Sequence, residues 1–218
     1  MNKNLYTYKK YITFLLVASI FGACLHAQTQ QTTQRPDALA LYNAGRYAEA
    51  VAVCEQEIAE NASNIESYVV MCWSLVRNGQ YLEAENRATA AYDISPYDHR
   101  IVEIFGEAKY YLGKNEEALR LFENYVSLVG ENGTRIGEVY YFMGEIYIRL
   151  EKYNHADIAF SKAVRNEPLY DRWWTRLGYA REMASNYSSA LTAYEQALVL
   201  NTGQNDARMG RTRVLERL

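Results

Sequence analysis

His99 and Glu103 stand four residues apart, a spacing that puts an imidazole and a carboxylate on one helical face where they could share a metal ion. Two ligands on one helix do not complete a metal site. His155, the other histidine after the first 27 residues, brings no ligand cluster with it. The pair is expected to be a surface pairing, with no metal and no cofactor. Hydrolytic chemistry would need a nucleophile beside a base or paired carboxylates held by several elements, and no such set is legible. The glycine motifs at Gly45, Gly79 and Gly113 lack the preceding strand and the Lys-Ser/Thr of a phosphate loop, so they are expected to be turns. The expectation is a protein that is not an enzyme.

The elements that hold these residues begin with an address. Lys3, Lys9 and Lys10 precede an apolar run from Ile12 to Phe21 that ends in Gly22-Ala23-Cys24. This is the layout of a secretory signal, and the run is shorter than the ~20 residues of a membrane-spanning helix. Two cleavage points compete. One follows Ala27, making residues 1–27 the signal; the other precedes Cys24, resembles bacterial lipoprotein processing, and would leave Cys24 to be acylated. Residues 28–35, mostly Gln and Thr, offer nothing to bury and are expected to form a flexible tether. The full chain carries a net charge of −3. Without residues 1–27 it would have 20 basic and 26 acidic side chains, a net of −6. An acidic chain is a poor ligand for polyanions, so no nucleic-acid partner is expected.

Self-similarity organises the rest. Gly45-Arg46-Tyr47-Ala48-Glu49-Ala50 recurs at Gly79–Ala84, Gly113–Ala118, Glu151–Ala156 and Ser185–Ala190, and the closing alanines are spaced by 34, 34, 38 and 34 residues. Tyr68, Met71, Cys72 and Leu75 fall on one helical face, which marks an amphipathic helix. The four extra residues lie within Leu128–Gly137 and are expected to be an insertion tolerated at a solvent turn, the alternative being a hinge.

These residues resemble the tetratricopeptide repeat family, whose unit is a helix–turn–helix of ~34 residues. Gly106, Gly144 and Gly178 match the small first-helix residue; Tyr68, Tyr140 and Trp174 match the early aromatic. Phe122, Phe160 and Tyr194 match the second-helix aromatic, Ala91, Ala163 and Ala197 the later alanine, and Pro96 and Pro168 the helix ends. The resemblance implies an all-α fold, a right-handed α-solenoid of five repeats over residues 36–202, at about 36–64, 65–98, 99–136, 137–170 and 171–203. A capping helix is expected over 204–218. Glu151 and Ser185 stand in the place of the turn glycine, and Lys109 and Arg181 where an apolar residue would pack. These departures are expected to soften local packing.

The resemblance also implies a groove lined by the first helices, built to bind a peptide or helix of another protein. The stripe opposite the packed one nominates Val69, Trp73 and Arg77; Glu103, Glu107 and Tyr110; Tyr141, Glu145 and Arg149; and Tyr179 and Glu182. Aromatics beside arginine suit a protein-binding surface, and the carboxylates suggest a ligand with some positive charge. The Lys/Asn clamp that grips chaperone carboxyl termini is missing, since the comparable slots hold Val69, Trp73, Glu103, Glu107, Tyr141 and Glu145. Two roles stay open: a non-enzymatic scaffold of the bacterial cell envelope, periplasmic or anchored through Cys24, or a structural subunit of an envelope assembly using its convex face. Cys54 and Cys72 are either a disulfide clipping the first two repeats or two small buried hydrophobes.

Overall fold

The 34-residue period is a pair of helices and a tight turn. The computed structural model describes residues 36–218, so the signal, the tether and Cys24 lie outside the described residues. Those residues form eleven α-helices and no strand. Five pairs follow one another: α1 (Ala38–Asn43) with α2 (Tyr47–Glu60), α3 (Ile65–Arg77) with α4 (Tyr81–Ile94), α5 (His99–Tyr111) with α6 (Asn115–Val129), α7 (Ile136–Arg149) with α8 (Tyr153–Asn166), and α9 (Asp171–Met183) with α10 (Tyr187–Leu200). The last helix, α11 (Asn205–Leu215), packs on α10 and α9. Each first helix packs on its own second helix, and successive first helices also meet, from α1 to α7. The fold is an all-α solenoid.

Local chemistry sets the boundaries. Asp37 accepts hydrogen bonds from the backbone N–H of Leu39 and Ala40 at 2.8 and 3.2 Å, capping α1. Asp98 caps α5 by accepting from Arg100 N at 3.0 Å. Helix α4 ends at Ile94, two residues before Pro96, because proline disfavours helical backbone in the residue before it. The first copy has a first helix of only six residues.

Between the two helices of a pair the chain turns through a left-handed residue. Gly45, Gly79 and Gly113 have φ of 74–75°, and in the last two repeats Glu151 (φ 55°) and Ser185 (φ 65°) take the same conformation with a Cβ present.

Packing inside the repeats is a trade of volume at two matched positions. One is on the first helix (Ala38, Cys72, Gly106, Gly144, Gly178) and the other on the second (Cys54, Ala88, Phe122, Phe160, Tyr194). Where the first is glycine, the second is a ring pressed onto it: an added Cβ would stand 2.7 Å from Phe122 at Gly106 and 2.6 Å from Phe160 at Gly144. Where the first is larger, the second is small; Ala38, Cys54, Cys72 and Ala88 share one core cluster. The two cysteines are thus packing residues. Both are free and buried, which corrects the disulfide alternative, and burial pushes each thiol up to about 12.

Lys109 and Arg181 do not soften the packing as expected. Lys109 Nζ donates to Glu85 Oε1 of the preceding second helix and to Glu117 Oε2, both at 2.7 Å, and lies 4.6 Å above the Phe105 ring. Arg181 Nε donates to Asp157 Oδ1 at 2.9 Å. Glu85 and Asp157 are the fifth residues of their helices, and Lys109 and Arg181 the eleventh of theirs. The same charged joint therefore ties repeat two to three and repeat four to five.

Replacing Ser185 by glycine removes the left-handed strain without cutting a core contact. Ser185→Gly should raise stability by about 1 kcal/mol, read as an upward shift of the urea midpoint.

Candidate functional site

Residues from the first helices of four successive repeats line a cavity of about 280 Å³. Tyr42 at the end of α1 and Trp73 on α3 form one wall, their ring centroids 5.8 Å apart. Val76 and Ile104 are its apolar lining. Arg77 on α3, Glu107 on α5, Arg135 just ahead of α7 and Glu138 on α7 are its charged lining.

Arg135 organises the acidic lining. Its guanidinium donates from Nη1 to Glu103 Oε2 at 2.9 Å, from Nη2 to Glu107 Oε2 at 3.2 Å, and from Nε to Glu138 Oε2. Its backbone N–H donates to the Tyr125 hydroxyl at 3.2 Å. Three carboxylates share one guanidinium, and Glu103, only 2 % exposed, keeps Oε1 without a hydrogen-bond partner among the described residues. Burial pushes the Glu103 carboxyl up to about 8, against the attraction of Arg135 and with the repulsion of Glu107 and Glu138. Burial raises Glu107 as well. The two carboxyls therefore retain protons above the ordinary carboxylate range.

The residues nominated from the sequence divide into those on the surface and those beneath it. Trp73, Arg77 and Glu107 line the cavity. Val69 is 1 % exposed and packs with Tyr68, Ala91 and Ile101, which corrects its reading as a groove residue: the α3 face that carries it is covered by the next repeat. Glu103 is likewise an internal partner of Arg135 and not a free groove carboxylate. Tyr110 is 9 % exposed, packed on Phe142 at 4.8 Å and covered by Arg149, whose guanidinium sits 4.1 Å above its ring. Tyr141 is half-buried and stacked on Trp173 at 5.3 Å. Glu145 pairs with Arg176, which lies 5.1 Å over the Tyr179 ring. Glu182 accepts from the Tyr194 hydroxyl and from Arg213 Nε, both at 2.6 Å, beside a second cavity of about 230 Å³ lined by Tyr179, Arg176 and Arg213.

The sequence reading missed Tyr42, Arg135 and Glu138. Tyr42 lies in the copy whose signature is weakest, and Arg135 belongs to the inserted segment. After a 3₁₀ turn over Gly130–Asn132, that segment carries Arg135 back against α5 instead of ending as a bare solvent turn. The three glycines of the segment read as a bare turn, and the carboxylate partners of Arg135 lie 32 and 28 residues away. His99 lies 6.3 Å from the Tyr125 ring, and among the described residues no group of three or more His, Cys, Asp or Glu is placed to hold a metal ion.

A family model for the tetratricopeptide repeat matches residues 141–212. Residues 141–212 are thus tetratricopeptide repeats, and the same helix pair recurs through the rest of the described residues. The chain is similar in structure to MamA, with a TM-score of 0.68 at 15 % identity over 78 % of this chain and 97 % of that one. A MamA chain from Desulfovibrio magneticus gives 0.67 at 18 % identity, covering 77 % and 92 %. YrrB, described as a TPR protein with an unusual peptide-binding site, gives 0.67 at 16 % identity, covering 80 % and 88 %. No curated protein sequence matches. At these identities the solved structures share the fold, and the repeat family is one of protein-interaction scaffolds.

The Glu103 proton has a measurable consequence. The folded chain holds it where the unfolded chain releases it near about pH 4.3, so its stabilisation is complete below that value and lost as pH climbs to about 8. Glu85, held below the ordinary range despite its burial by Lys109 and Lys114, acts in the opposite sense and only in acid. Urea midpoints should therefore fall between about pH 5 and about pH 8, and Glu103→Gln should flatten that fall.

Proposed function

We propose that this chain is an exported, non-enzymatic scaffold of the bacterial cell envelope that holds a peptide or helix of another protein against the face built by its first helices. The observation that carries this reading is the cavity between Tyr42, Trp73, Arg77 and Glu107. Side chains from three repeats present aromatic area next to charged groups at one concave place. Aromatics contribute contact area at small entropic cost and charged neighbours set register, a combination that favours polypeptide recognition. The peptide-binding site described for YrrB, a structural relative, supports the same use of the fold.

Export rests on the basic stretch and the apolar run before Cys24. No helix among the described residues is long and apolar enough to cross a membrane, so membrane attachment would depend on residues outside them, such as acylated Cys24. A second reading draws on the second helices, where Leu82, Ile158 and Val199 are 62 %, 61 % and 76 % exposed. A subunit of an envelope assembly would use that apolar surface instead of the groove.

A photo-crosslinking residue placed at Trp73 or at Ile158 in living cells separates the two. Partner crosslinks from position 73 alone support the groove; crosslinks from position 158 alone support the assembly. In a companion test, Trp73→Ala with Tyr141→Ala should abolish the position-specific capture while the helical circular dichroism stays intact. Labelled palmitate should enter the wild type and not Cys24→Ala if the protein is lipid-anchored; a shortened, unlabelled periplasmic product is the outcome for cleavage after Ala27.

A further inference from the structure

The carboxylates nominated from the sequence on the first-helix face are engaged by arginines of the chain itself. Glu103 and Glu107 are held by Arg135, Glu145 by Arg176 and Glu182 by Arg213. What the face leaves over is arginine. Arg149 lies 4.1 Å over the Tyr110 ring, and its Nη1 donates to the Tyr110 carbonyl at 3.1 Å and to Asn115 Oδ1 at 3.3 Å. Both acceptors are neutral, and its Nε and Nη2 have no acceptor among the described residues. Arg172, exposed in the first turn of α9, has neither an ion pair nor a hydrogen bond among the described residues. Its charge acts on Tyr110 and Tyr141.

We propose that Arg149 and Arg172 hold acidic side chains of the bound polypeptide, whose carboxylates accept from the two guanidiniums and from the Tyr110 and Tyr141 hydroxyls. The inference rests on the groove reading above, names the chemistry of its ligand, and reverses the ligand charge expected from the sequence.

The local balance of charge supports an anion. Tyr110 interacts electrostatically with Arg149, Arg172 and Arg176 and with one carboxylate, Glu145, so three cations against one anion leave an excess of two positive charges around it. This excess stands on a chain with 20 basic and 26 acidic side chains beyond residue 27, so it is local and not a property of the whole surface. Neither the Tyr110 nor the Tyr141 hydroxyl has a hydrogen-bond partner among the described residues, and burial pushes both phenols up, so each keeps its proton and can donate. A basic side chain would meet two uncompensated cations. A neutral amide would accept hydrogen bonds and leave the charge unanswered. A carboxylate offers only acceptors, and its two oxygens match the fork of a guanidinium.

The test uses the full-length chain at neutral pH and three capped tetrapeptides, Ala-Glu-Glu-Ala, Ala-Gln-Gln-Ala and Ala-Lys-Lys-Ala, with inorganic phosphate as a further ligand. The readout is the indole N–H resonance of Trp173, which stacks on Tyr141 at 5.3 Å and is assigned by its loss in Trp173→Phe. The indole of Trp174, which donates to the Pro168 carbonyl, reports that the fold is intact. The glutamate peptide should shift the Trp173 signal to saturation, and the glutamine peptide should bind about tenfold more weakly. Arg172→Gln should weaken the glutamate peptide by about fivefold. Arg120→Gln, the same charge lost from an exposed position on second helix α6, should leave it unchanged. Equal binding of the glutamate and glutamine peptides, tighter binding of the lysine peptide, or equal losses in the two variants would each overturn the proposal. So would phosphate saturating the signal at the concentration at which the glutamate peptide does, since the arginines would then be a general anion site. If crosslinks form at position 73 while the glutamate peptide leaves the signal unmoved, the carboxylate seat fails and the groove stands. If the crosslinks also fail, both readings fall.

Discussion

Three rings, Phe122, Phe160 and Tyr194, each press onto a glycine of the facing first helix, and the architecture depends on that close approach. Tyr194 is gripped twice, by Gly178 of its own repeat and by Gly210 of the last helix, so α11 closes the solenoid with the device used inside it. The approach brings the helices near enough for alanines such as Ala118, Ala156 and Ala190 to be fully buried. Since each pair can hide its apolar face only against the next, stability accrues between neighbours along the array. The first two repeats show that the constraint is on summed volume: with Ala38 and Cys72 on the first helix, the partner position shrinks to Cys54 and Ala88.

Charge is distributed along the same joints. Lys109 with Glu85 and Arg181 with Asp157 occupy equivalent positions, and they replace apolar contact by hydrogen-bonded ion pairs where a second helix meets the next first helix. Such pairs contribute little net stability when desolvated, but losing one partner is costly, so they penalise misregistered stacking more than they strengthen correct stacking. Arg135 serves the same end at the junction of repeats three and four. The four-residue insertion lengthens the turn and supplies the arginine that reaches back to Glu103 and Glu107, so the segment with the loosest composition is tied by a buried cluster.

These joints shape the surface on which function depends. Farther along, Arg149 of the fourth repeat covers Tyr110 of the third, and Arg176 covers Tyr179 on its own helix. In repeats one to three the shortened α1 leaves Tyr42 and Trp73 beside an open cavity. A period seen five times in the sequence thus yields a surface that differs from end to end, because the residues left over after packing are not periodic.

The helices, their turns and their order were legible because they are written locally: a 34-residue spacing, a helical stripe, a left-handed turn residue and a proline after the helix. The packing positions were legible for the same reason, down to Gly106, Gly144 and Gly178. The charged groups were not. Val69 and Trp73 sit on one predicted stripe, yet one is core and the other surface, because exposure at the margin of a helix face depends on how the next repeat is rotated against it. Glu103 and Arg135 are 32 residues apart, and nothing in the spacing of either announces the other. Sequence alone determined the unit and its repetition through short-range sterics and periodicity. Only the tertiary stacking decided which charges are buried together and where a cavity remains, since those depend on residues brought together from different repeats.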